Sequence, residues 1–200
     1  IEILPLWYLW GQFCPPLMPD EHVEGNLVFF GGLQEKIRKK EHDKILPYLE
    51  NIFSSSFAPM MIPYLEDFKH WGFFLPKITS SRLSPWLVLS ELFSIVRQFF
   101  IVCKEPDLYI LPHLPPELFC GKLIRIKVEG LVIYLEWTKK MIHRMIVFCN
   151  KNTQMTIHFQ NAIKSYRLKA SRTDKGKIFE NHIEMSFKKN KVYHFDRFEK

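Results

Sequence analysis

The sequence predicts an α+β chain: a mainly helical N-terminal half packed on a C-terminal antiparallel β barrel or sandwich. Three observations lead there. First, charge is divided unevenly along the 200 residues. Residues 1–120 carry 10 Lys and Arg against 14 Asp and Glu, a net −4, while 121–200 carry 18 against 7, a net +11. Second, the hydrophobic period shortens to two from Lys122 onward, close to the charge changeover. Third, "KEPDLYILPHLPPELFCG", 104–121, holds four prolines and cannot be one helix, yet it is too apolar to float free. The expected organisation is an acidic, mostly helical part (1–104), an ordered Pro-rich connector (105–121) and a basic antiparallel β part (122–200).

Residues 1–32 are dense in turn signals, "FCPPLMPDE" and "FFGG". The runs "ILPLWYLW" and "NLVFF" read as short strands. The opening segment lacks the basic flank and small-residue cleavage site of a signal peptide. A first helix is expected over 33–53, with Leu33, Ile37, Ile45, Leu49 and Phe53 near one face and a kink at Pro47. A second should begin near Pro63, with Glu66 and Asp67 in its first turn, and stop at Gly72.

The stretch "SPWLVLSELFSIVRQFFIVC", 84–103, predicts a third helix. Ser84 suits the N-cap and Pro85 the first helical position. Its length approaches that of a membrane span, but Ser90, Glu91, Ser94, Arg97 and Gln98 form one polar stripe. Two charges in mid-bilayer would cost about 2.5–3.5 kcal/mol each. A buried helix is expected instead. Leu89 and Val96 belong to its core face. Trp86, Phe93, Phe99 and Phe100 are the candidate residues for docking a protein partner.

In the basic part, "KLIRIKVEG" alternates, with Ile124, Ile126 and Val128 on one face and Arg125 and Lys127 on the other. "LVIYLEW", "MIHRMIVFCN" and "QMTIHFQ" follow as strands, and "AIKSYRLKA" as a strand or one helical turn. "IFENHIEMSF" and "VYHFDRF" flank Lys188-Lys189-Asn190-Lys191, which reads as a hairpin loop. Six or seven short strands in 80 residues suit a barrel or sandwich, OB-like or PH-like in size.

No catalytic string is present: no G-x-G-x-x-G, G-x-x-x-x-G-K-[ST], H-E-x-x-H or G-x-S-x-G. Cys14, Cys103, Cys120 and Cys149 make no CxxC pair, and no Asn-x-Ser/Thr acceptor occurs. These features point to free thiols in a reducing interior, with a nuclear or cytoplasmic location expected. No cofactor and no metal are expected. His182 and His194 would face each other across the last hairpin.

Charge is then the leading functional signal. The candidate nucleic-acid-binding residues are Arg125, Lys127, Lys139, Lys140, Arg144, Lys164, Arg167, Lys169, Arg172, Lys188, Lys189 and Lys191. They interleave with Tyr134, Phe148, Phe159, Tyr166, Phe179, Phe187, Tyr193, Phe195 and Phe198. Cations neutralise phosphates, and exposed aromatic rings stack on bases. The expected function is a non-catalytic interaction module of an intracellular multiprotein assembly whose β surface engages nucleic acid. The alternatives are an adaptor for phosphoinositide headgroups or an acidic protein, and an enzyme with an unrecognised site.

Overall fold

The computed structural model describes residues 24–50, 52, 85–171 and 173–200. The chain divides into two compact units, 1–97 and 98–200. In the first unit, α1 spans Glu24–Arg38 and a 3-10 turn spans His42–Lys44. A helical stretch over 45–50 follows directly. Leu33, Ile37, Ile45, Leu46, Leu49 and Ile52 are buried, as the 3.6-residue period requires. The second helix, α2, spans Pro85–Phe100. Leu89, Leu92, Ile95, Val96, Phe99 and Phe100 are buried along it, while Glu91 and Ser94 are exposed. No described helix is long and apolar enough to cross a membrane.

Several expectations are corrected here. A mainly helical N-terminal half is not supported: the described residues are mostly strand, with three short helices and no closed barrel among them. The run "NLVFF" lies inside α1, not in a strand. A short apolar run carries no period of its own, and the helical stripe that follows it captures it. The helical chain breaks at Lys40, whose φ is 57°, and not at Pro47. Pro47 falls within the first turn of the 45–50 stretch, where a missing N–H costs little. The predicted strand over 3–10 and the predicted helix from Pro63 to Gly72 lie outside the described residues.

The second unit is built from strands. Those described are β1 (Ile101–Lys104), β2 (Asp107–Ile110), β3 (Gly121–Val128), β4 (Leu131–Thr138), β5 (Met141–Cys149), β6 (Thr153–His158), β7 (Ser165–Lys169), β8 (Lys177–Glu180), β9 (Ile183–Phe187) and β10 (Val192–Glu199). They form two open sheets. One has the order β1-β2-β6-β9, the other β3-β4-β5-β10-β7-β8. β2, inside the proline-rich run, pairs in parallel with β6, Leu108 opposite Ile157.

Side chains of both sheets meet in a shared core. Tyr166 of β7 is fully buried, 5.6 Å from Phe195 of β10 and 4.9 Å from Phe159, which follows β6. Its hydroxyl donates to the sulfur of Met185 in β9 at 3.7 Å, and burial pushes its pKa up to about 12. Each fully buried aliphatic or aromatic side chain contributes about 1.5–3 kcal/mol, which makes this core the main source of the unit's stability.

Two further expectations change. The segment Lys188–Lys191 is not a hairpin loop. β9 pairs with β6 and β10 with β5 and β7, so the segment crosses from one sheet to the other. It is fastened to the end of β5: the Asn190 amide donates to the Cys149 carbonyl at 2.7 Å, and the Cys149 amide donates to the Lys191 carbonyl at 3.1 Å. His182 and His194 do not face each other either. His194 belongs to the six-stranded sheet, and His182 precedes β9 of the four-stranded one.

Candidate nucleic-acid interface

The six-stranded sheet has one face turned to the core and one turned outward. The inner set is Ile133, Leu135, Met145, Val147 and Phe195, each fully buried. The outer set can be read off the strand registers as rows. One row runs Lys127, Val132, Phe148, Val192 across β3, β4, β5 and β10. The next runs Tyr134, Ile146, His194, Lys169 across β4, β5, β10 and β7. The third holds Lys122, Glu136 and Arg144, and further along Asp196 stands opposite Arg167.

The centre of this outer face is apolar and aromatic. The Tyr134 and Phe148 rings lie edge to face, with centroids 5.4 Å apart. Phe148 is 40% exposed. Val132, Tyr134, Ile146 and Val192 are half-buried. At the β8 edge, Ile178 stands opposite Arg167 and is 71% exposed.

The β3 edge is shaped by a bulge. Leu123 pairs with Leu135 and Ile126 with Ile133, which leaves Ile124 and Arg125 together opposite Tyr134. Arg125 takes a left-handed φ of 61°, and Ile124 is 55% exposed. The expected inward position of Ile124 is therefore corrected. Strict alternation from Ile126 back along the strand fails where the extra residue enters.

Charge surrounds the apolar centre. Arg167 grips Asp196 with two hydrogen bonds, Nε to Oδ1 at 2.7 Å and Nη2 to Oδ2 at 2.9 Å. Lys169 reaches the same carboxylate at 3.2 Å. Hydrogen bonds from Arg167, with help from Lys169, hold the Asp196 carboxyl below its usual range. The Lys122 ammonium meets Glu136 at 2.8 Å and lowers that carboxyl too. The three rows thus carry five cations, Lys122, Lys127, Arg144, Arg167 and Lys169, against the carboxylates Glu136 and Asp196.

Of the residues singled out from sequence, Arg125, Lys127, Arg144, Arg167 and Lys169 come together on this sheet. Lys139 and Lys140 form the turn between β4 and β5, and Lys188, Lys189 and Lys191 lie at the other end of β5. Lys164 precedes β7 and is exposed. Arg172 lies outside the described residues. Among the aromatics, Phe159, Tyr166, Phe187 and Phe195 are core. Of the proposed docking residues, Phe99 and Phe100 are buried, Phe93 is half-buried, and the Trp86 side chain lies outside the described set. Sequence reasoning passed over Val132, Ile146, Val192 and Ile178. For Val132 and Ile146 the signal was present: in "LVIYLEW" and "MIHRMIVFCN" both alternate sets are largely apolar, more than a half-buried strand needs.

No family model matches the chain, and no curated protein matches it. Among solved structures, one similar chain is a GH127 beta-L-arabinofuranosidase from Geobacillus Stearothermophilus T6. Identity is 11% and the TM-score 0.28, over 57% of this chain and 18% of that one. A likeness at that level carries no argument about function.

Proposed function

We propose that the chain is a non-catalytic interaction module whose six-stranded sheet binds single-stranded nucleic acid across its outer face. The observation that carries this reading is the Tyr134–Phe148 pair, held on the open sheet face with Arg125, Lys127 and Arg144 beside it. Unstacked bases offer π-faces to such rings, while the cations follow the phosphates. Bases inside a duplex are already stacked and leave the rings nothing to cover. The net +11 of 121–200 supplies long-range attraction for a polyanion. A module of this kind would work inside a larger intracellular assembly, nuclear or cytoplasmic.

Fluorescence anisotropy with labelled single-stranded and duplex oligonucleotides tests the reading at low and moderate salt. Single strands should bind more tightly, and affinity should fall as salt rises. Charge reversal at Lys127 and Arg144 should flatten that salt dependence by roughly one phosphate contact each. Equal binding to both oligonucleotides, or binding only to anionic vesicles or an acidic polypeptide, would overturn it.

A further inference from the structure

The outer face of the four-stranded sheet carries a different kind of chemistry. Three polar side chains form a line across its strands. Asp107 in β2 places Oδ1 2.7 Å from Nε2 of His158 in β6. His158 Nδ1 lies 2.7 Å from Nδ1 of His182, in the turn before β9. The Tyr109 ring stacks on His158 with centroids 4.5 Å apart.

The backbone under His182 is fixed independently of its ring. Asn181 Oδ1 accepts from the amides of Phe159 and His182, both at 3.0 Å. Asn181 Nδ2 donates to the carbonyls of Ile163 at 3.0 Å and Phe159 at 3.4 Å. His182 itself sits at φ 68°, a left-handed conformation that this amide frame holds in place. The imidazole therefore hangs on a rigid pivot.

Proton bookkeeping restricts the line. His158 Nε2 faces a carboxylate and so carries a proton. Its Nδ1 then accepts when the ring is neutral and donates when the ring is charged. Two nitrogens 2.7 Å apart need one donor and one acceptor. The contact thus tolerates a neutral pair or one shared positive charge, and it fails when both rings are imidazolium. Two imidazoles bound to one tetrahedral zinc would place their nitrogens about 3.3 Å apart, and no group of three metal-binding side chains occurs among the described residues.

We propose that Asp107, His158 and His182 form a proton-operated latch. It ties the β8–β9 turn to β2 and β6 while the pair carries at most one charge, and a second proton swings the His182 ring away. Groups on every neighbouring element bias that second proton. Asp107 favours it, as does Glu184 on β9, which is held by Gln154 of β6 at 2.8 Å. Lys104 on β1, opposite Asp107, and Lys164, whose carbonyl accepts from the Asn181 amide, oppose it. The Tyr109 ring covers one face of the His158 ring.

Nitrogen-15 NMR of the histidine rings in the whole chain tests the latch. At the alkaline end of the titration, His158 should carry its proton on Nε2 and His182 on Nδ1. As the pH falls, the two rings should protonate in separated, coupled steps, and the His182 amide should shift with the second. In the His182→Asn variant, His158 should titrate in a single step. Nε2–H tautomers on both rings of the unmodified chain would overturn the proposal, as would a His158 curve that superimposes in the chain and the variant.

Discussion

The two faces of the six-stranded sheet are built from the same strands, one residue apart, and they obey different rules. Inward, Ile133, Leu135, Met145, Val147 and Phe195 are fully buried and interlock with the other sheet through Tyr166 and its neighbours. Outward, Val132, Tyr134, Ile146, Phe148 and Val192 are just as apolar, but they stand half-buried or exposed between cations. A sheet that needed only a core would turn polar on its second face. The difference teaches that apolar content alone does not assign a residue to stability. Position on the pleat, and what lies opposite, decide it.

Breaking the inner face should have the largest effect. Leu135→Ala removes a fully buried side chain flanked by Leu123 and Met145 in register, and it should cost about 2–5 kcal/mol in urea unfolding. A loss below 1 kcal/mol would mean that the inner set is not the core described here.

Asp196 sharpens the comparison from the polar end of the outer face. Its carboxyl is held below the usual range by Arg167 and Lys169. A depressed carboxyl contributes stability that is present above its unfolded pKa, about 3.9, and lost as pH falls through the lower folded value. Asp196→Asn should therefore lower the melting temperature by a few degrees at neutral pH. The gap from the unaltered chain should close in strong acid. A gap that persists there would place the effect in packing and not in charge.

The smallest effect concerns the β4–β5 turn. Lys139 and Lys140 both occupy left-handed backbone, φ 50° and 62°. A two-residue hairpin of this shape prefers Asn-Gly. The double change Lys139→Asn, Lys140→Gly should raise stability by about 1 kcal/mol, measured by urea unfolding. A decrease would show that the lysines hold the turn through contacts other than the Lys140 amide bond to the Phe119 carbonyl.

Much of the strand unit was legible, because the period of two in 122–200 is a local signal. What escaped was nonlocal. Strand β2 was hidden because a four-residue run bounded by prolines reads as connector until β6 pairs with it across 40 or more residues, and β1 because Ile101–Cys103 continues the apolar run of the predicted helix, which ends at Phe100. The lysine-rich turn after β9 has hairpin chemistry, yet partner choice across two sheets is not written in a turn. Ile124 was misplaced because a bulge shifts alternation without changing composition. The basic residues were visible individually, but only register shows that five of them share a sheet with Tyr134 and Phe148. The contact of His158 with His182, 24 residues apart, follows no motif spacing.

The most direct test of the central claim, that the outer apolar face serves a ligand and not the fold, is Phe148→Ala measured two ways on the same preparation. Single-stranded oligonucleotide affinity should fall by roughly 5- to 100-fold, the loss of one stacked base. The urea unfolding free energy should stay within about 1 kcal/mol of the unaltered chain, because Phe148 is already open to water. Unchanged affinity together with a stability loss above about 2 kcal/mol would contradict the account and return Phe148 to the core.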